Sequence, residues 1–131
     1  MKNLIATLLF LLVGVSLSAQ TFYSKEMARS QGHRWTHGKN WDYVNGLVAK
    51  SLLDLCEQYD NEEESATFYG WAKAYADNAI NEDGSFKNFR KGNIDNINSG
   101  KVLFEIYHHE KALDEKNGTH NADRYLSLIH I

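Results

Sequence analysis

Proline is absent from all 131 residues. Its ring interrupts helix interiors and pre-forms turns, so a chain without it favours uninterrupted helices over a turn-rich sandwich. Cysteine occurs once, at Cys56, which excludes an intramolecular disulfide framework and any cysteine-cluster metal site. Positive charge is not in excess: 14 Lys and Arg face 17 Asp and Glu, for a formal net charge of −3. A mildly acidic surface gives no electrostatic footprint for a phosphate backbone, so nucleic acid is not an expected partner. There is no P-loop, no dinucleotide fingerprint and no Ser-centred nucleophile elbow. What remains, 43% hydrophobic and 24% charged residues, is the composition of a folded domain, and the length allows one.

The N-terminus reads as a secretory signal. Lys2 supplies the positive charge, Leu4 to Val15 is an uncharged apolar run, and small residues follow at Ser16, Ser18 and Ala19. The run is too short for a comfortable membrane span and ends in a cleavage-like pattern, after Ser18 or after Ala19. Residues 1–19 are therefore expected to be removed on export to the periplasm or beyond. No stable membrane span is expected after cleavage. With Cys56 far from this segment, a lipoprotein anchor is excluded. At the other end, Leu126-Ser127-Leu128-Ile129-His130-Ile131 resembles the end sequence of a widely used sequencing transposon, translated in one frame. The expectation is that residues 126–131 are foreign and that the domain, residues 20–125, is the front part of a longer one.

Between the ends the pattern is helical. Trp41, Val44, Val48, Leu52, Leu55 and Tyr59 recur at steps of three and four and predict a helix over Asn40 to Tyr59. Asp60-Asn61 breaks it, and Glu62 to Glu64 suits the positive end of a second helix running to Ile80, with Phe68, Ala72, Tyr75 and Ala79 inward. Asn81 to Gly84 reads as a turn, and Ser85 to Gly92 as an extended loop or small β-excursion. A third helix is expected from Asn96–Ser99 to Glu110 on Val102, Leu103, Ile106 and Tyr107. A polar loop over Asp114 to His120 and a fourth helix capped by Asn121 follow. Asn45-Gly46 and Ser99-Gly100 fall at matching points, which hints at a repeated helical hairpin of stacked α/α units.

Three places carry residues suited to chemistry. Trp41 and Tyr43 open the first helix but point about 200° apart, so one can line a cavity while the other packs; an aromatic face there suits a sugar ring. Asp95 lies between Ile94 and Ile97 just before a helix. Its ordinary role is an N-cap; the alternative is a partly buried carboxyl at a cavity mouth, whose pKa desolvation would raise. His33 and His37 are four apart, but flanking Gly32 and Gly38 disfavour a helix and no third ligand stands out, so no metal is expected. His108-His109-Glu110 is read as the third helix's last turn, where cationic His complements the dipole.

The order Trp41-x-Tyr43-x-x-Gly46, Tyr69 and Tyr75, Asn81-Glu82-Asp83-Gly84, Asp95-x-Ile97-x-x-Gly100-Lys101 and Ala122-x-Arg124-Tyr125 resembles the N-terminal part of the unsaturated rhamnogalacturonyl hydrolases. These form glycoside hydrolase family 105, related to the family 88 unsaturated glucuronyl hydrolases. The resemblance implies an all-α fold, the N-terminal helical hairpins of an (α/α)6 six-hairpin barrel, truncated here. It implies hydrolytic removal of a 4,5-unsaturated uronic acid from oligosaccharides left by polysaccharide lyases, with no cofactor. By position, Asp95 would be one of two important aspartates, the one that supports or orients. Tyr43 and Trp41 would contact the unsaturated sugar. The main acid/base aspartate, in a Trp-x-Asp-Gly-like motif, would lie beyond the chain, which alone should be inactive. The competing reading is a non-catalytic helical-repeat module of the cell envelope that binds glycans or proteins.

Overall fold

A computed structural model describes residues 23–32, 35, 40–58, 61–81, 85–87 and 92–126. The signal segment, the His33/His37 pair and residues 127–131 lie outside the described residues. The chain divides into two compact units, Met1–Arg34 and Trp35–Ile131. In the first, residues 23–32 are helical (α1), with a surface ion pair from Arg29 to Glu26 at 2.7 Å. The second holds α2 (Tyr43–Gln58), α3 (Glu62–Ala79), α4 (Ile94–Ser99), α5 (Lys101–Asn117) and α6 (Asp123–Leu126). The fold is all-α, built of helical hairpins, as the apolar periodicity and the missing proline require.

Each start and stop has a local cause. Asp42 caps α2: its carboxylate accepts from the Asn45 backbone N–H at 2.9 Å and from the Asn45 amide at 3.0 Å. Asn61 caps α3 by accepting from the N–H groups of Glu63 and Glu64, and Glu62 to Glu64 sit against the positive helix end as anticipated. The α2–α3 turn is tied by Ser65, whose hydroxyl donates to the Cys56 carbonyl at 3.1 Å, while the Cys56 thiol reaches the carbonyls of Leu52 and Ser65. Burial pushes the thiol pKa up, so Cys56 packs rather than reacts. After α3, Ile80 and Phe86 form an isolated antiparallel bridge. Its partners are Asn81 N–H to Ser85 O at 2.8 Å and Lys87 N–H to Ala79 O at 2.9 Å. This is the small β-excursion expected after Gly84.

Leu52, Leu53 and Leu55 of α2, Phe68, Ala72, Tyr75, Ala76 and Ala79 of α3, and Val102, Leu103 and Ile106 of α5 make the core. Each large apolar side chain there contributes about 1.5–3 kcal/mol. Four expectations are corrected. In α2 the inward face is rotated: Gly46 and Ala49 are buried, whereas Val44 is 67% and Leu47 48% exposed. A hydropathy stripe overlooks glycine and alanine, yet small residues are what allow helix axes to approach. The third helix is two, joined at Gly100, and α5 continues to Asn117 before Gly118 ends it in the left-handed conformation (φ 68°). His108, His109 and Glu110 are therefore mid-helix, not in a last turn. The expected Asn121 cap is replaced by Asp114, whose carboxylate accepts the Ala122 N–H at 2.7 Å and the Thr119 hydroxyl. The Thr119 hydroxyl in particular holds the Asp114 carboxyl below its usual range.

Candidate functional site

The residues singled out in the sequence converge where α2 begins and α4 crosses it. Trp41 is 8% exposed. Its indole N–H donates to the Asn96 carbonyl at 2.8 Å. Its ring stacks on Tyr75 (centroids 5.0 Å, 11°) and meets Phe86 at 4.8 Å. The Asn96 side-chain amide returns a hydrogen bond to the Trp41 carbonyl. Trp41, offered as a sugar contact, is thus packed between α3 and α4. Tyr43 is the one of the pair left at the surface, 44% exposed. One of the two packs and the other faces outward, as expected, but Trp41 lies in the bend before α2 rather than on the helix.

The Asp42 carbonyl is the hub beside them. It accepts from the Gly46 N–H at 2.9 Å, from the Ser99 hydroxyl at 2.6 Å and more weakly from the Tyr75 hydroxyl at 3.4 Å. Ser99 also lies 3.0 Å from the Asp95 carbonyl, one turn back in its own helix. Burial pushes the Tyr75 hydroxyl up to about 12, so it is a neutral donor at physiological pH. Asn45 extends the cluster by accepting from the Trp35 indole at 2.9 Å, and Trp35 in turn lies against Tyr75.

Asp95 sits in the first turn of α4 and is exposed. It is not the cap expected for it: Asn93, two residues earlier, accepts the Asp95 N–H at 2.9 Å. Nor is it a partly buried carboxyl within this chain. Its apolar neighbours Ile94 and Ile97 are 76% and 60% exposed, so the carboxylate stands on an uncovered apolar edge. Asp95 and Tyr43 therefore occupy first turns of two helices pinned to each other through Trp41–Asn96 and Asp42–Ser99.

A second polar cluster went unread in the sequence. Glu110 is 8% exposed and accepts the Tyr69 hydroxyl at 2.5 Å. Lys73 stands 4.0 Å from Glu110 and 3.0 Å from Asp77. Asp77 accepts the Tyr125 hydroxyl at 2.5 Å and pairs with Arg124 at 3.1 Å. Burial and the Glu110 hydrogen bond drive the Tyr69 hydroxyl far above its ordinary range. The oxygens of both carboxylates are taken up within the fold, so this cluster ties α3 to α5 and α6. A cleft of about 340 Å³ at the α5–α6 corner is lined by Tyr107, Lys111, Glu115 and His120 among others. Its buried carboxylate, Asp114, is already committed to the backbone of Ala122. Among the described residues no group of three or more His, Cys, Asp or Glu could hold a metal ion. No described helix is long and apolar enough to cross a membrane.

The sequence model of Glycosyl Hydrolase Family 88 matches residues 18–129, which is most of the chain. The chain belongs to that family. No solved structure matches it.

Proposed function

We propose that this family 88 member contributes to the release of 4,5-unsaturated uronic acid from lyase-generated, rhamnogalacturonan-type oligosaccharides. The observation that supports this best is the family match across residues 18–129, read with Asp95 and Tyr43 at adjoining helix starts. The chemistry is hydration of the sugar's own double bond. A carboxylic acid gives its proton to C4, water adds its oxygen at C5 and returns a proton, the resulting hemiketal opens to a C5 ketone, and the hemiacetal left at C1 collapses to an aldehyde, which frees the attached glycan as its alcohol. Asp95 orients the reacting unit, Tyr43 offers it an aromatic face, and Trp41 frames the pair from the core. The family 105 type is our reading of the motif order Trp41-x-Tyr43-x-x-Gly46 and Asp95-x-Ile97-x-x-Gly100-Lys101. We propose export for the same chain, on its N-terminal pattern.

An acid that must hold its proton near neutral pH needs a dry setting and a second carboxylate. Asp95 is exposed, so the residues described do not provide that setting. We therefore propose that the chain by itself does not turn over. The test is loss of the double bond's ultraviolet absorbance on lyase-digested rhamnogalacturonan. The isolated chain should leave it unchanged. In a complete six-hairpin protein carrying this segment, Asp95→Asn should lower turnover by about 10²-fold, the scale of acid–base participation. Turnover by the isolated chain would overturn its proposed inactivity, and near-normal rates in Asp95→Asn would return Asp95 to a role without chemistry.

A further inference from the structure

We infer that Asn96 and Ser99 are positioning residues: together they form a latch that fixes the separation of Tyr43 and Asp95. The inference rests on the reading that these two residues serve one ligand. The geometry is reciprocal. Trp41 donates its indole N–H to the Asn96 carbonyl, and Asn96 donates its side-chain amide to the Trp41 carbonyl. One residue on, at Asp42 just before α2, and three residues later on α4, the Ser99 hydroxyl reaches the Asp42 carbonyl. Asn96 and Ser99 are both buried, at 8% and 2% exposure, although both flanks of Asn96 are exposed. They share the inward face of a six-residue helix whose outward face carries Ile94, Asp95 and Ile97.

Two hydrogen-bonded points at different heights resist both sliding and pivoting; one would resist only separation. The third constraint is steric. A Cβ on Gly46 would lie 2.6 Å from Ser99 Oγ and 2.9 Å from Ser99 Cα, so the two backbones are already at contact. The Asp42 carboxylate caps α2 while its carbonyl takes Ser99, so the cap and the latch share a residue. Moving α4 therefore moves the turn that presents Tyr43. Buried amide and hydroxyl groups are stabilising only when partnered. Here both are spent on the carbonyls of Trp41 and Asp42, in the turn that leads into α2.

The test reads one helix while altering the other. Asn96→Asp keeps the shape but removes the donor to Trp41. In backbone amide NMR of the whole chain it should shift Tyr43, Val44 and Leu47, none of which Asn96 bonds. Gly46→Ala should reciprocally shift Ile94 and Asp95. Asp114→Asn, about 20 Å along α5 from its start, should leave both sets unmoved. Perturbations that stop at Trp41, Asp42 and Ser99 would overturn the latch. In a six-hairpin protein carrying this segment, Asn96→Asp should lower kcat by about tenfold to 10²-fold, the cost of misplacing a reacting group, with KM little changed. Asp114→Asn should leave kcat within about twofold at a temperature where both variants are folded. Equal kcat in both variants counts against positioning. Coupled shifts with full turnover in Asp95→Asn would keep the latch and discard the catalytic reading; loss of turnover in Asp95→Asn without coupled shifts would do the reverse.

Discussion

Glu110 shows what a single buried carboxylate demands. It is nearly inaccessible, its close partner is the Tyr69 hydroxyl, and Lys73 stands at 4.0 Å. Removing one partner of a buried acceptor costs more than the bond's net worth, because the remaining group keeps its desolvation penalty. Tyr69→Phe should accordingly lower unfolding free energy by about 1–3 kcal/mol, measured by urea titration at pH 7; a loss within error would show that water or Lys73 takes over. Individual residues were unevenly legible beforehand. Asp95 and the two aromatics, Trp41 and Tyr43, stood out because their types carry chemistry, whereas the cap at Asp42 did not. Glu110 was assigned to a helix end because Asp114 and Gly118 looked like loop material. Asn96 and Ser99 were legible only as a helix start and a repeat mark beside Gly100, since a polar side chain is identified as inward only by the partner it meets, and those partners lie 55 and 57 residues away.

Among the helices, spacing is decided by the smallest side chains. Gly46 and Gly70 make the point as a pair. Replacing a mid-helix glycine by alanine gains about 1 kcal/mol in helix propensity. At Gly70 nothing lies within 4 Å of the added methyl, so Gly70→Ala should raise the thermal midpoint. At Gly46 the methyl meets the Ser99 backbone at 2.9 Å, and overpacking of about 1–3 kcal/mol outweighs the gain, so Gly46→Ala should lower it. Calorimetry on the two variants checks the opposite signs. The bounds of α3 and the existence of α2 were readable from apolar periodicity and caps. The rotation of α2 was not, because Val44 and Leu47 supply hydropathy on a side that this chain leaves exposed. The break at Gly100 was not readable either: one helix was expected from Asn96–Ser99 onward, whereas Ile97 lies on the outer face of a separate α4.

The whole molecule inherits a pH window from Tyr69, Tyr75 and Tyr125 on one side and from Asp114 on the other. The Tyr75 and Tyr125 hydroxyls are both pushed up to about 12, chiefly by burial. Unfolded tyrosines ionise first, near pH 10. Their contribution is therefore complete below pH 10 and lost as pH rises toward 12. Asp114 works in the opposite sense. Its carboxyl lies below the ordinary 3.8, mainly through the Thr119 hydroxyl, so its contribution holds above that value and fades as pH falls through the lower folded one. Thermal midpoints against pH should show both limbs. Asp114→Asn should flatten the acid limb without touching the alkaline one, and Tyr75→Phe with Tyr125→Phe should make the alkaline limb shallower, leaving the part that Tyr69 carries; crossed effects would mean that other groups set the window. At this scale the all-α class was legible, since no proline and a 3.6-residue period leave few alternatives. How the second hairpin is fastened to the first was not.

That fastening also sets an order of assembly. The Cys56–Ser65 tie closes a segment of 9 residues, whereas Trp41–Asn96 closes one of 55. The longer closure costs about 1.6 kcal/mol more in chain entropy, and it gains nothing until α3 is in place to stack Tyr75 on Trp41. The α2–α3 hairpin is thus the part that forms early, and the α4 contact the part that arrives late and leaves first. The edge that carries Asp95 is the last to be built, so its fluctuations can occur while the core beneath stays closed.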